Sequence, residues 1–281
     1  MTDSKNQWVP DTNGIYISTK NTETISYPDD GNDSCFAVED SSDWFKYRNE
    51  LILTFIDKYK IKGDFLDIGG GNGFQVKAIS ESKAVDGKVV MIEPGYKGCL
   101  NAKNRKCEHI YCGIFQDFDF DKNKIHNVGL FDVIEHIEDD IQFLNDLFNL
   151  LPNHSRVFIN VPARQRYWSQ VDVMAGHFRR YENNDITRIQ SKTPFNVIDS
   201  TYYFHFYIYP LLLLRILPEK LGFKKSKNQL LESEKRNLTA TSNKGLLNSI
   251  FRWIHNVSLS KIKNGNRFKN GTSLFLILEK S

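Results

Sequence analysis

Short apolar runs alternate with segments of helical period along most of the chain. Between Trp44 and Tyr59 (WFKYRNELILTFIDKY) the apolar positions Trp44, Phe45, Leu51, Ile52, Phe55, Ile56 and Tyr59 settle into helical spacing and predict an amphipathic helix. FLDIG then reads as a short buried strand, and GFQVKAISES, from Gly73, as a helix. KVVMIEPG and HIYCGIF are the second and third strands, with the helix KGCLNAKNR between them. NVGLFDVI is a fourth strand, DDIQFLNDLFNLL a helix and RVFINVPA a fifth strand. PFNVIDSTYYFHFY and GTSLFLILEKS read as the sixth and seventh. Strands that alternate with helices imply a parallel sheet joined by right-handed crossovers. The expected fold class is therefore α/β, a doubly wound, seven-stranded, mostly parallel sheet.

Two regions leave this rhythm. Residues 1–42 are polar and carry turn formers such as YPDDGND, which predicts an irregular arm ahead of one domain over 43–281. A helical insertion at about 210–270 precedes the last strand; it runs through YPLLLLRILPEKLGF, the basic stretch KKSKNQLLESEKR and GLLNSIFRWIHNVSLSKI.

With 40% hydrophobic and 25% charged residues the 281-residue chain is globular, and its net charge of +3 is too mild to argue for nucleic acid. The basic residues Lys220, Lys224, Lys225 and Lys227 are local, and such runs are usually solvated. Four cysteines without a CxxC pair read as reduced thiols. Cys107, His109 and Cys112 have a spacing that admits zinc, although a strand accounts for them more simply. The first ten residues, MTDSKNQWVP, lack the apolar core of a secretory signal, so the expected location is the cytoplasm.

The stretch FLDIGGGNGF places Gly69, Gly70, Gly71 and Gly73 at the turn from the first strand into its helix. Glycines there let a ligand approach the backbone at the carboxyl end of a strand. The dinucleotide pattern G-x-G-x-x-G fails because Phe74 stands where its last glycine is needed, and no Lys-Ser/Thr follows to make a triphosphate loop. The pattern Asp67-x-Gly69-x-Gly71-x-Gly73 resembles motif I of the class I S-adenosylmethionine-dependent methyltransferases. Glu93 in VVMIEPG, LFDVIEHIEDD after the fourth strand and VFINVPA in the fifth extend the resemblance over about residues 45–205 and 271–281. One departure is LPNHSR, where many members carry Gly-Gly before the fifth strand. The resemblance implies a Rossmann-like fold and S-adenosylmethionine as cofactor. It assigns Asp67, Gly69, Gly70, Gly71, Gly73, Glu93, Pro94, Gln116 and Asp132 to the cofactor, with Glu93 accepting from the ribose hydroxyls. Gln116 or Asp117 would meet the adenine, and Phe115 or Ile114 would stack on it.

Methyl transfer needs a positioned nucleophile and often a base. Two clusters follow the fourth and fifth strands: Asp132, Glu135 and His136, and the AGHFRRY segment with His177, Arg179, Arg180 and Tyr181. His136, His177 and Glu135 are the candidate catalytic groups, since an imidazole titrates near neutrality. The bland alternative is that Glu135 and His136 cap the next helix. Arg179, Arg180 and Tyr181 are the candidate substrate clamp, against a surface ion-pair role. Some small-RNA 3′-end and ubiquinone-pathway methyltransferases bind a divalent metal through Glu-x-x-Glu-His. Here Asp132 replaces the first Glu, so metal assistance is an alternative and no metal ligand is assigned.

The uncharged run Phe206–Leu214 is too short to span a bilayer and contains Pro210. Residues 246–262 carry Leu246, Leu247, Ile250, Phe251, Ile254 and Val257 on one stripe, which suits core, a homodimer contact or peripheral membrane docking. The insertion is expected to wall an acceptor site, and Trp44, Phe45 and Arg48 to cover the cofactor. The expected activity is methyl transfer to oxygen of a small-molecule or lipid-linked acceptor; a non-catalytic binding module on the same fold is the alternative.

Overall fold

The computed structural model describes residues 7–20, 35–120, 125–223, 225–240 and 246–281. Residues 1–6 and 21–34 of the arm, Lys224 of the basic run and the side chains of Lys227, Leu246 and Leu247 lie outside the described residues.

The central strands are β3 (Asp64–Ile68), β4 (Val89–Glu93), β5 (His109–Cys112), β6 (Ile125–Phe131) and β7 (Arg156–Pro162), all parallel. β8 (Asn196–Tyr203) and β9 (Ser273–Glu279) complete the expected seven, with β9 antiparallel to both β7 and β8. Alternate side chains fill the two faces, as the strand period requires. Leu66, Val128, Val157 and Leu276 pack in one core cluster, and Phe65, Met91, Phe158 and Phe275 in the other.

The arm departs from its expected irregularity. Trp8–Pro10 (β1) and Tyr16–Ser18 (β2) form a hairpin, and β2 pairs parallel with β5. The sheet order among the described residues is thus β1-β2-β5-β4-β3-β6-β7-β9-β8, nine strands rather than seven. The cause is aromatic: Trp8 meets Tyr111 edge-on at 5.1 Å, and Tyr16 stacks on Tyr111 at 4.9 Å. Three-residue strands leave too little alternation to be read in sequence. A helical turn over 35–39 follows.

The helices are α1 (Asp43–Lys58), α2 (Phe74–Glu81), α3 (Tyr96–Asn104), α4 (Asp140–Leu150), α5 (Gln170–Met174) and α6 (Asn183–Lys192). The insertion holds α7 over 208–220, α8 (Lys227–Ala240) and α9 (Leu246–Lys263). Within α7 the turn Leu212–Ile216 is π-helical, directly ahead of Pro218. Pro218 cannot donate to the preceding turn, and the widened turn relieves its ring. α9 lies against α1, where His255 stacks on Tyr47 at 4.0 Å and pairs with Glu50 at 2.8 Å. Strand order reverses between β3 and β6, so the crevice for a ligand is at their carboxyl ends.

Candidate functional site

A cavity of about 1650 Å³ opens at that crevice. It runs from the β3–α2 loop, past the ends of β4 and β6, to the first residues of α7. Pockets for one small ligand are typically ~300–1,000 Å³, so this space is large enough for two such molecules.

Two glycines carry the loop. Gly71 has φ +52° and a methyl group there would meet nothing within 4 Å, which leaves the space beside it to a ligand. Gly73 has φ +73°, and a methyl group there would lie 2.7 Å from Ala102 Cβ, so glycine is required for α2 to approach α3. Glu93, at the end of β4, accepts from the Gly71 N–H at 2.9 Å and the Gly95 N–H at 2.8 Å. A carboxylate accepts through both oxygens, which suits a pair of ribose hydroxyls.

Asp67 is buried and neither of its oxygens meets a donor among the described residues. Burial pushes its carboxyl well above the usual range; Glu93 and Asp132 add to the rise and Arg48 opposes it. Such a group at the head of a glycine loop fits a cofactor that supplies the missing partners. Pro94 and Gln116 line the cavity, as do Ile114 and Phe115. Asp117, the other adenine candidate, is instead taken by the arm: Ser18 Oγ donates at 2.8 Å and Lys20 Nζ at 3.0 Å.

Asp132 has φ +59°, a conformation unusual for a non-glycine residue. Its carboxylate accepts from the Arg48 guanidinium and, at 2.6 Å, from Asn160 Nδ2. Arg48 lies over the rings of Trp44 and Phe45, at 5.2 and 5.0 Å, and all three line the cavity.

The second half of the site is built by the 169–181 loop. Ser169 and Asp172 form a capping box at the start of α5. The Asp172 carboxylate is fully buried and meets Ser169, His177 and Arg180, with the Ser169 N–H and Oγ both donating to Oδ2, at 2.9 and 3.1 Å. Arg180 Nε lies at 2.7 Å from Oδ1 and Nη2 at 3.0 Å from Oδ2, while His177 Nδ1 lies at 3.0 Å from Oδ1. Burial pushes this carboxyl up, but hydrogen bonding from His177 and the Arg180 charge outweigh it and hold it at about 2. An ionised Asp172 fixes the proton on His177 Nδ1 and leaves Nε2 as the basic nitrogen.

His136 and His177 meet edge-to-face, with ring centroids 4.7 Å apart. Burial, with the neighbouring His177, lowers the His136 pKa to about 4, so it is a neutral imidazole near pH 7. Glu135 is buried beside them and its Oε2 meets no donor among the described residues. Burial and the nearby Asp132 push its carboxyl well above the usual range. Ligand atoms of Glu135, His136 and His177 all lie within 4.8 Å of one another, a set able to hold a divalent cation.

The expected substrate clamp needs correction. Arg179 and Tyr181 do not line the cavity: Tyr181 Oη donates to Asp140 Oδ2 at 2.8 Å, and Arg179 Nη1 to the Ile137 carbonyl at 2.8 Å. Arg180 reaches the cavity wall with its guanidinium already committed to Asp172. These side chains brace the 134–140 turn and the loop, because a buried carboxylate outcompetes a distant ligand for a bidentate guanidinium. The helix-capping alternative for Glu135 and His136 also fails; Asp139 caps α4, accepting from the Gln142 N–H at 2.9 Å.

Sequence reasoning missed Asp172 and Glu39. Asp172 was signalled by the Ser-x-x-Asp pattern ahead of α5. Glu39 had no local signal. It accepts from Asn72 Nδ2 at 3.3 Å and pairs with Arg105 at 2.8 Å, which ties the arm to the glycine loop.

A sequence profile described as a methyltransferase domain matches residues 42–200. No curated protein matches the chain. Among solved structures it is similar to Haemonchus contortus phosphoethanolamine N-methyltransferase 2 in complex with S-adenosyl-L-methionine, at 19% identity and a TM-score of 0.52. That alignment covers 92% of this chain and 58% of the other, so the chain spans little more than half the length of that enzyme. The plantazolicin methyltransferase BamL, solved with a desmethyl substrate analogue and S-adenosylhomocysteine, is 13% identical with a TM-score of 0.51, over 91% of this chain and 92% of that one. At these identities the likeness is one of fold.

Proposed function

Because the chain belongs to the methyltransferase-domain family of class I S-adenosylmethionine-dependent enzymes, we propose that it methylates an oxygen of a small or lipid-linked acceptor, with His177 as the base. S-adenosylmethionine supplies an electrophilic methyl group, so an O–CH3 bond forms as the S–CH3 bond breaks and S-adenosylhomocysteine leaves. The observation that carries the reading is the Asp172–His177 pair on the wall of the cavity that also holds the glycine loop. Asp172 orients the ring, and Nε2 takes the hydroxyl proton as the nucleophile forms. Asp67, Gly71 and Glu93 bind the cofactor. Arg48, held by Asp132, closes the cavity beside α1. A cytoplasmic setting is part of this reading, since it would keep the four free cysteines reduced.

The test is transfer of label from S-adenosylmethionine to hydroxyl-, amine- and carbon-nucleophile acceptors, by wild type and His177→Ala. Hydroxyl acceptors should be methylated, and the variant should lose on the order of 10²–10⁴ in kcat with S-adenosylhomocysteine affinity retained. Transfer confined to amines, or an unchanged kcat in the variant, would sink the oxygen-and-base reading. Cofactor binding with no transfer to any acceptor would move the chain to the binding-module alternative.

A second reading, metal-assisted transfer, is favoured by the clustered ligand atoms of Glu135, His136 and His177. A divalent cation there would lower the pKa of the acceptor hydroxyl. The neutral His136 and the otherwise unpartnered Glu135 oxygen fit such an ion. Activity that disappears with EDTA and returns with Mg²⁺ or Mn²⁺ would select this reading; full activity in EDTA would remove it.

A further inference from the structure

The side chains that frame the acceptor end of the cavity are also among the most exposed large apolar residues described. Tyr209, Leu213 and Leu214 line the cavity and are still 72%, 63% and 67% exposed. The stripe continues through Leu217, Leu221 and Phe223, which face solvent without lining the cavity. Single exposed apolar residues are ordinary; six within one short segment beside a cavity mouth mark an interaction surface.

Apart from one acid, the charges of the segment are basic. Lys220 and Lys225 lie along it, both exposed. Its acid, Glu219, is turned to the protein and accepts from the Gln170 N–H at 3.0 Å. Among the described residues no helix is long and apolar enough to cross a membrane, so an apolar stripe with basic neighbours lies on a bilayer rather than through it. Tyr209 and Phe223 bring aromatic rings of the kind that sit at the headgroup level.

We propose that the 208–223 segment, with Lys225 beside it, docks the enzyme onto an anionic lipid bilayer, with the cavity opening toward the membrane. A second copy of the chain is the weaker occupant. A two-fold contact through this face would set Lys220 and Lys225 against their own counterparts and cover the cavity mouth. An anionic bilayer complements those charges and leaves an apolar path from the acyl region to His177. The purpose of the docking rests on the acceptor site proposed above, but vesicle binding requires neither turnover nor acceptor.

The experiment is co-sedimentation of the full chain with phosphatidylcholine vesicles and with mixed phosphatidylcholine–phosphatidylglycerol vesicles. Wild type should partition onto the mixed vesicles, less onto the neutral ones, and less again as salt is raised. The double variant Leu221→Glu/Phe223→Glu should lose about tenfold or more of that partitioning. Its S-adenosylhomocysteine affinity, measured by calorimetry, should match wild type and so report an intact fold. Wild type left in the supernatant with both vesicle types overturns the proposal, as does a variant that binds as well as wild type. Sedimentation velocity showing a wild-type dimer and a monomeric variant, without vesicle binding, would assign the face to a second copy instead. Vesicle binding without methyl transfer would leave this proposal standing and sink only the catalytic one.

Discussion

Replacing Gly71 or Gly73 by alanine should do damage of two different kinds. At Gly71 the new methyl group points into open space, so the fold pays only the left-handed backbone, about 1–2 kcal/mol. Its melting temperature should fall by a few degrees while S-adenosylhomocysteine affinity drops on the order of tenfold or more, because the methyl takes the ligand's room. At Gly73 the methyl meets Ala102 Cα at 2.9 Å and Cys107 Sγ at 2.9 Å, so overpacking of about 1–3 kcal/mol is added to the backbone term. Thermal unfolding and calorimetry on the pair separate the two; wild-type affinity in Gly71→Ala would remove this loop as the cofactor cradle. His136 gives a pH signature. Its folded pKa of about 4 is below the 6.5 of an unperturbed imidazole, so the unfolded chain takes up the proton first. As pH falls from 6.5 toward 4, wild type should lose up to about 3 kcal/mol relative to His136→Gln, and the difference should be flat above pH 7. A melting-temperature difference independent of pH would show that His136 is not buried as a neutral ring.

The 169–181 loop behaves as one element whose parts hold a base in place. Ser169, Asp172, His177 and Arg180 are distant enough in sequence that only the capping box at its start is legible there. That Arg180 folds back eight residues onto Asp172 depends on the loop's path past β7, which no local pattern encodes. The same limit made Arg179 and Tyr181 resemble a substrate clamp, when their donors serve Asp140 and the 134–138 turn. The difference is measurable. Arg180→Ala leaves Asp172 buried without its main counter-charge and should cost about 3–5 kcal/mol of stability. Tyr181→Phe removes one hydrogen-bonding hydroxyl and should cost only about 1 kcal/mol. A substrate clamp would show the reverse in Arg180→Ala, a raised KM with an unchanged melting temperature, and that result would restore the clamp.

At the scale of the molecule, the strands that carry the core were legible because each is a buried apolar run beside a helix of clear period, as with Leu66, Val128 and Val157. The glycine loop was legible because its constraint is local. The β1–β2 hairpin was not, since its strands hold through contacts with Tyr111 and Asp117, about a hundred residues away. Those contacts tie the hairpin to the turn behind the cavity wall. Trp8 Nε1 donates to the Asp117 carbonyl at 3.1 Å, and Ser18 and Lys20 hold the Asp117 carboxylate. Gln116, the neighbouring residue, lines the cavity. Deleting residues 1–20 should therefore act in three places. The outer edge of β5 loses its partner strand and becomes a template for self-association. Asp117 is left buried without its donors, which lowers stability. The wall around Gln116 loosens, so S-adenosylhomocysteine affinity should fall several-fold. Light scattering, thermal unfolding and calorimetry on the deletion read these separately. Trp8→Ala, which keeps the chain length and removes the ring packed on Tyr111, should show the same directions at a cost of about 2 kcal/mol. If both variants stay monodisperse with wild-type melting and wild-type affinity, the hairpin is an appendage to the sheet edge and the cofactor site is complete without it.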